Sequence, residues 1–195
     1  MTGKQQFLKT VYPIFQKLTN LFKIHRNILQ SNTAAVTNFF DLSVTLTTGK
    51  TVSMETFKGK KILIVNTASD CGYTAQYDDL EKLYQQHKNN LIIIAFPAND
   101  FKEQEKNDDA AIAEFCKINY GVTFPLAQKS VVINNTNQHA VFKWLTQKDL
   151  NGWNSQVPTW NFCKYLVNEQ GNLTHFFEAA VNPLGQEITS AIATI

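Results

Sequence analysis

Cysteine is scarce in this chain, three in 195 residues, and the number is odd. That excludes a disulfide-stapled scaffold and leaves redox or catalytic thiols in a reducing, cytoplasmic setting as the reading to pursue. No apolar run reaches the roughly eighteen residues that a membrane-crossing helix needs. The four histidines, His25, His87, His139 and His175, are scattered without metal-ligand spacing. There is no glycine-rich phosphate loop either, so neither metal nor cofactor is expected. A formal net charge of only +2 gives no footprint for a nucleic-acid partner. Acid is missing altogether from residues 1–40, which hold Lys4, Lys9, Lys17, Lys23 and Arg26.

What is present begins with that basic stretch. Phe7, Val11, Ile14, Phe15, Leu18, Leu21, Phe22, Ile28 and Leu29 recur at helical spacing, with lysines mostly on the other face. Pro13 predicts a kink or the first turn of a second helix. Polar residues interrupt every apolar core, which argues against a secretory signal. The plainer reading is a helix packed on its own domain. The alternative is a basic amphipathic arm, residues 1–30, in peripheral contact with an anionic membrane surface. The division expected is an arm at 1–37 and a domain at 38–195.

The remainder is regular. Residues 40–46 and 51–54 flank Thr47-Thr48-Gly49-Lys50 as a hairpin. Residues 61–67 (KILIVNT) and 91–96 (LIIIAF) read as buried strands. Helices are expected up to about residue 88, over 108–118, over 139–145 and after Asn182-Pro183, with a short strand at 131–133. Residues 165–167 and 173–177 bracket the turn Asn168-Glu169-Gln170-Gly171 as a second hairpin. Strands alternating with helices, then a hairpin, indicate an α/β layer structure around a central mixed sheet.

The strongest chemical feature is Cys71, directly after the first buried strand. Ligands and reactive groups collect at the carboxyl ends of such strands. The following helix would lower the thiol pKa there. Spacing alone suggests a redox or nucleophilic thiol. A thioredoxin-type dithiol is excluded, because Thr74 holds the fourth place of Cys71-Gly72-Tyr73-Thr74.

Residues 59–74 (GKKILIVNTASDCGYT), then Ala75-Gln76-Tyr77, resemble the signature of the glutathione peroxidase family. Phe96-Pro97-Ala98-Asn99-Asp100-Phe101 with Gln104-Glu105, and Trp160-Asn161-Phe162 with Lys164-Tyr165-Leu166-Val167, extend the likeness in the same order. It covers residues 38–192 and implies a thioredoxin-like fold with an N-terminal hairpin. It implies Cys71 as the peroxidatic residue, with the Trp160 indole and the Asn161 amide as donors to its sulfur. Asp100 stands where the family usually has Gln, and a carboxylate beside the thiol would raise its pKa. Lys102-Glu103 and Lys106-Asn107 replace a usual glycine pair and Pro-Gly. Cys116 resembles the resolving cysteine of the thioredoxin-dependent branch, whereas strand alternation makes Cys163 a half-buried structural thiol.

The implied function is a thiol peroxidase reducing hydrogen peroxide and organic or lipid hydroperoxides. It would pass through a Cys71–Cys116 disulfide recycled by a thioredoxin-like protein. Direct recycling by glutathione, or a redox sensor that relays its disulfide to a partner, are the alternatives. The short stretch 125–139 resembles the monomeric members of the family.

Overall fold

The computed structural model describes residues 1–22 and 26–193. From the amino end come α1 (Gly3–Leu21), β1 (Ile28–Gln30), β2 (Ser43–Thr45), β3 (Thr51–Ser53) and β4 (Lys61–Thr67). Then follow α2 (Gln76–His87), β5 (Leu91–Pro97), α3 (Asp109–Tyr120), α4 (Ala140–Thr146) and α5 (Lys148–Asn151). Strands β6 (Lys164–Val167) and β7 (Leu173–Phe177) and helix α6 (Gln186–Ala193) complete the chain.

Every residue of β4 and β5 is buried, as the apolar runs 62–65 and 91–97 require, and the two pair in parallel. On the other edge of β4, β6 runs antiparallel, followed by β7 and then β1, giving the order β1-β7-β6-β4-β5. Strands β2 and β3 form a separate antiparallel hairpin. The helices flank this mixed sheet in a thioredoxin-like α/β arrangement. Tyr77, Leu80 and Leu83 of α2 and Ile112, Cys116 and Tyr120 of α3 are buried, as are Ile188 and Ile192 of α6. Helix α3 is capped at both ends: the Asp108 carboxylate accepts the Ala111 amide at 2.9 Å, and Gly121 turns left-handed at φ 62°.

Four local expectations need correction. Residues 131–133 form no strand; Val131 makes only an isolated bridge to Gln138. Asn182-Pro183 is followed by a turn, and the last helix starts at Gln186. Pro13 neither divides α1 nor opens a second helix, and sits exposed inside one continuous helix. The stretch 1–37 is not one unit, because Ile28–Gln30 forms the edge strand beside β7. Lys23 and His25 lie outside the described residues.

Helix α1 packs on its own domain, but with its faces reversed from the usual arrangement. Gln5, Tyr12 and Thr19 turn inward and are buried. Phe7, Ile14, Leu18 and Leu21 face solvent, at 65%, 65%, 49% and 74% exposure. Among the described residues, no helix is long and apolar enough to cross a membrane.

Candidate active site

The loop after β4 carries Cys71, and its backbone is fixed at several points. The Cys71 amide donates to Thr74 Oγ1 at 3.0 Å, and the Thr74 hydroxyl reaches back to the Ala68 carbonyl at 2.9 Å. The Asp70 amide donates to the Gln104 carbonyl at 3.1 Å. Ser69 donates its amide and its hydroxyl to Glu105 Oε2, at 2.8 and 2.7 Å. The loop after β5 therefore holds the loop after β4.

The second wall comes from residues 160–162, just before β6. Asn66 Nδ2 donates to the Trp160 carbonyl at 3.0 Å, and the Phe162 amide donates to the Asn66 carbonyl at 2.6 Å. Phe162 takes a left-handed φ of 70°, an uncommon conformation for a bulky residue. Asn161 is buried and donates from Nδ2 to Gln104 Oε1 at 3.0 Å. Trp160 is half-buried, 5.8 Å from Phe101 between ring centroids, with Lys102 Nζ 5.5 Å above its ring.

These elements converge on the Cys71 sulfur. The Tyr73 amide donates to Sγ at 3.4 Å, and Trp160 and Asn161 both act to lower the thiol pKa. All three favour the thiolate. Burial acts the other way and prevails, pushing the Cys71 thiol up to about 11. The expectation of a lowered pKa is thus corrected for this arrangement. The cause is the complete burial of Cys71.

Asp100 is half-buried, and its carboxylate accepts the Val132 amide at 2.8 Å. The amide neighbouring Asn161 is instead Gln104. Sequence reasoning gave Gln104 and Glu105 no role. The available signal was their position in a polar loop just past a fully buried strand. Cys116 is buried in α3, where loss of solvent pushes its thiol up to about 12 against the influence of Tyr77, with Glu105 adding to the rise. Cys163 is also buried, with Sγ 3.6 Å from Thr159 Oγ1, and its charge bears on Cys71. All three thiols are free.

Helix α1 lies across this site. Gln5 Nε2 donates to Asp70 Oδ1 at 2.8 Å, and the Lys4 ammonium stands 3.4 Å from Oδ2. The Phe15 ring lies 5.0 Å from the Tyr73 ring, and its edge passes over Gly72. Beside the helix start is a cavity of about 310 Å³ lined by Gln5, Ser69, Asp70, Gln104 and Glu105; Cys71 does not line it.

A strand-end cysteine faced by an indole and an amide, on this sheet, defines a class that comparison with known proteins identifies. The glutathione peroxidase family model matches residues 39–146. The glutathione peroxidase of Lactococcus lactis subsp. cremoris is 41% identical over 147 residues, 75% of this chain and 92% of that protein. The glutathione peroxidase-like peroxiredoxin 2 of Saccharomyces cerevisiae is 38% identical over 160 residues, 80% and 98% of the two chains. The crystal structure of apo Trgpx superposes with a TM-score of 0.62 at 31% identity, over 81% of this chain and 95% of that one. This chain belongs to the glutathione peroxidase family. It is a thiol peroxidase, an oxidoreductase acting on peroxide.

Proposed function

We propose that Cys71 is the nucleophile toward peroxide and Cys116 its resolving partner. The Cys71 thiolate attacks the terminal oxygen of a hydroperoxide. The S–O bond forms as the O–O bond breaks, and the leaving oxygen takes the proton given up by the thiol, departing as water or alcohol. Cys71 is then a sulfenic acid. The Cys116 thiolate attacks that sulfur, water leaves, and a disulfide joins the two. A thioredoxin-like dithiol reduces it by exchange; the yeast relative's designation as a peroxiredoxin supports this donor over glutathione.

The carrying observation is the Tyr73 amide on the Cys71 sulfur at the end of β4, with Trp160 and Asn161 on the facing wall both acting to lower the thiol pKa. Cys116 sits in a capped helix, so α3 must open before the sulfurs reach bonding distance. The free thiols support a reducing, cytoplasmic setting. We further read the chain as a monomer, with α1 as its contact with membrane surfaces.

The test is peroxide consumption with a thioredoxin system against glutathione and its reductase. Cys71→Ser should lose turnover with both. Cys116→Ser should consume one equivalent of peroxide and then stall with thioredoxin. Peptide mapping of wild type after one equivalent should show Cys71–Cys116 with Cys163 free. A Cys71–Cys163 bridge would overturn the assignment of Cys116.

A further inference from the structure

Four observations about α1 do not follow from peroxidase chemistry. First, it covers the reactive loop: Gln5, Tyr12 and Phe15 lie on Asp70, Gly72 and Tyr73, the neighbours of the wholly buried Cys71. Second, it also holds the helix that carries Cys116. Lys9 Nζ donates to the Asn119 carbonyl at 3.1 Å, pairs with Asp78 at 3.0 Å and lies 4.2 Å above the Tyr120 ring.

Third, the covered side is poorly matched. Tyr12 Oη, Gln16 Nε2, Tyr73 Oη and Gln76 Oε1 are buried there; Tyr12 has Gln76 and Tyr73 has Thr19 as polar neighbour, but none of the four atoms makes a hydrogen bond of good geometry among the described residues. Each regains water when the helix leaves, so its seating carries an unfavourable desolvation that release removes. Fourth, the outward side is an apolar stripe of Phe7, Ile14, Leu18 and Leu21 that no described residue covers. At 100° per residue, Lys4 and Lys17 stand on opposite sides of that stripe. With no acid anywhere in residues 1–40, the face suits a surface that is apolar below and negative at its boundary.

We propose that α1 is a displaceable cap over Cys71, and that an anionic lipid bilayer is the occupant of its outer face, drawing the cap off the thiol. The proposal rests on reading Cys71 as the peroxide-reacting thiol and α1 as membrane-facing. A bilayer shifts this equilibrium only by binding the released helix better than the seated one. The differential is present. Release adds Leu8 and Phe15 to the apolar face and frees Lys4 and Lys9 from Asp70 and Asp78 for lipid phosphates. Departure exposes Cys71 and unclamps the end of α3, so both thiols become available together. Opening is thereby tied to the surface that holds lipid hydroperoxides.

The test is the rate of Cys71 alkylation by iodoacetamide at neutral pH, followed by peptide mapping on the full chain. Vesicles of phosphatidylcholine with phosphatidylglycerol should raise that rate at least tenfold, about the effect of lowering the thiol pKa by one unit. Pure phosphatidylcholine should not, and salt should diminish the gain. Ile14→Glu should remove the vesicle effect and leave the rate in solution unchanged. Gln5→Ala with Phe15→Ala should alkylate rapidly without vesicles, its fold checked by circular dichroism.

Rapid alkylation of the wild type without vesicles would overturn the cap. Vesicle binding with no gain in alkylation would overturn it too, while sparing the membrane contact. Failure to bind vesicles, or burial of the stripe in a concentration-dependent dimer, would overturn the bilayer as occupant. None of these outcomes depends on turnover, so loss of activity in Cys71→Ser tests the peroxidase assignment separately.

Discussion

Glu105 Oε2 receives both the amide and the hydroxyl of Ser69, at 2.8 and 2.7 Å, in a place closed to solvent. The other carboxylate oxygen has no hydrogen-bond partner among the described residues. Ser69 is two residues from Cys71, so this pair sets where the Cys71 loop stands. Burial raises the Glu105 pKa, against the two Ser69 bonds that lower it. A carboxylate whose folded pKa is raised binds more protons folded than unfolded. Its contribution to stability therefore falls as pH climbs from the ordinary carboxylate range through the raised value. Glu105→Gln should flatten that fall in urea unfolding followed upward in pH from the ordinary carboxylate range. Ser69→Ala should cost about 1–3 kcal/mol, since it removes a hydrogen bond to a carboxylate. Identical pH profiles for wild type and Glu105→Gln would mean that Glu105 titrates normally.

The Asp100 carboxylate is engaged with the Val132 amide at 2.8 Å, which gives it a structural task. Asp100→Ala leaves that N–H without its acceptor and should cost about 1–3 kcal/mol. Asp100→Asn keeps an oxygen for Val132 and should recover most of the loss. Neither change should move the Cys71 titration, followed by pH-dependent alkylation. A shift to lower pH in Asp100→Asn would show that the carboxylate charge reaches the sulfur.

Lys102 and Glu103 both adopt a left-handed φ of 51° at positions where the resembled family usually has glycines. The backbone shape has been kept without the residue that holds it cheaply. For a non-glycine residue that region costs about 1–2 kcal/mol. Glu103 is exposed, and among the described residues its carboxylate pairs with Lys106 at 3.1 Å. Glu103→Gly should therefore raise the unfolding free energy by about 0.5–1 kcal/mol, part of the relief being offset by a freer unfolded chain. Glu103→Val should lower it. A destabilised glycine variant would mean that the loop draws more from the Glu103 side chain than its one exposed ion pair.

The parts legible in the sequence are those whose signal is local. The runs 62–65 and 91–97 are apolar throughout because both strands are buried on both faces, and Cys71 stands out by lying just past the first of these strands. The inverted packing of α1 was not legible. Its 3.6-residue pattern fits an inward apolar face equally well, and only the tertiary arrangement places Gln5 and Tyr12 against Asp70 and Tyr73. Residues 28–30 are too few for a period to show, yet they complete the sheet beside β7. Residues 131–133 carried strand-like composition, but only Val131 finds a bridge partner, Gln138. The raised Cys71 pKa was hidden for the same reason as the cap: desolvation depends on what lies over a residue, not on what precedes it.

Lys164 lies next to Cys163 at the start of β6, fully buried, with Nζ donating to the carbonyls of Ala179 and Val181 at 3.0 and 2.7 Å. Burial lowers its pKa to about 7, against the opposing influence of Cys163 and Asp79. An amine whose folded pKa is lowered binds fewer protons folded than unfolded. Its contribution to stability is therefore least favourable below about pH 7 and improves as pH rises toward the ordinary lysine value. The buried thiols and tyrosines, whose pKa values are raised, pull the other way in the same alkaline range, so the whole-protein profile cannot isolate Lys164. A difference can. Lys164→Met removes the titration and leaves those acids in place. Comparing both forms in a Cys163→Ala background removes the coupled thiol as well. Losing the donor to Ala179 and Val181 offsets the variant by an amount that does not change with pH. Above about pH 7 the stability of the form that keeps Lys164 should then gain on that of the Lys164→Met variant, by at most about 1.4 kcal/mol per pH unit. Parallel profiles from urea unfolding would instead mean that the two carbonyls keep the amine charged throughout.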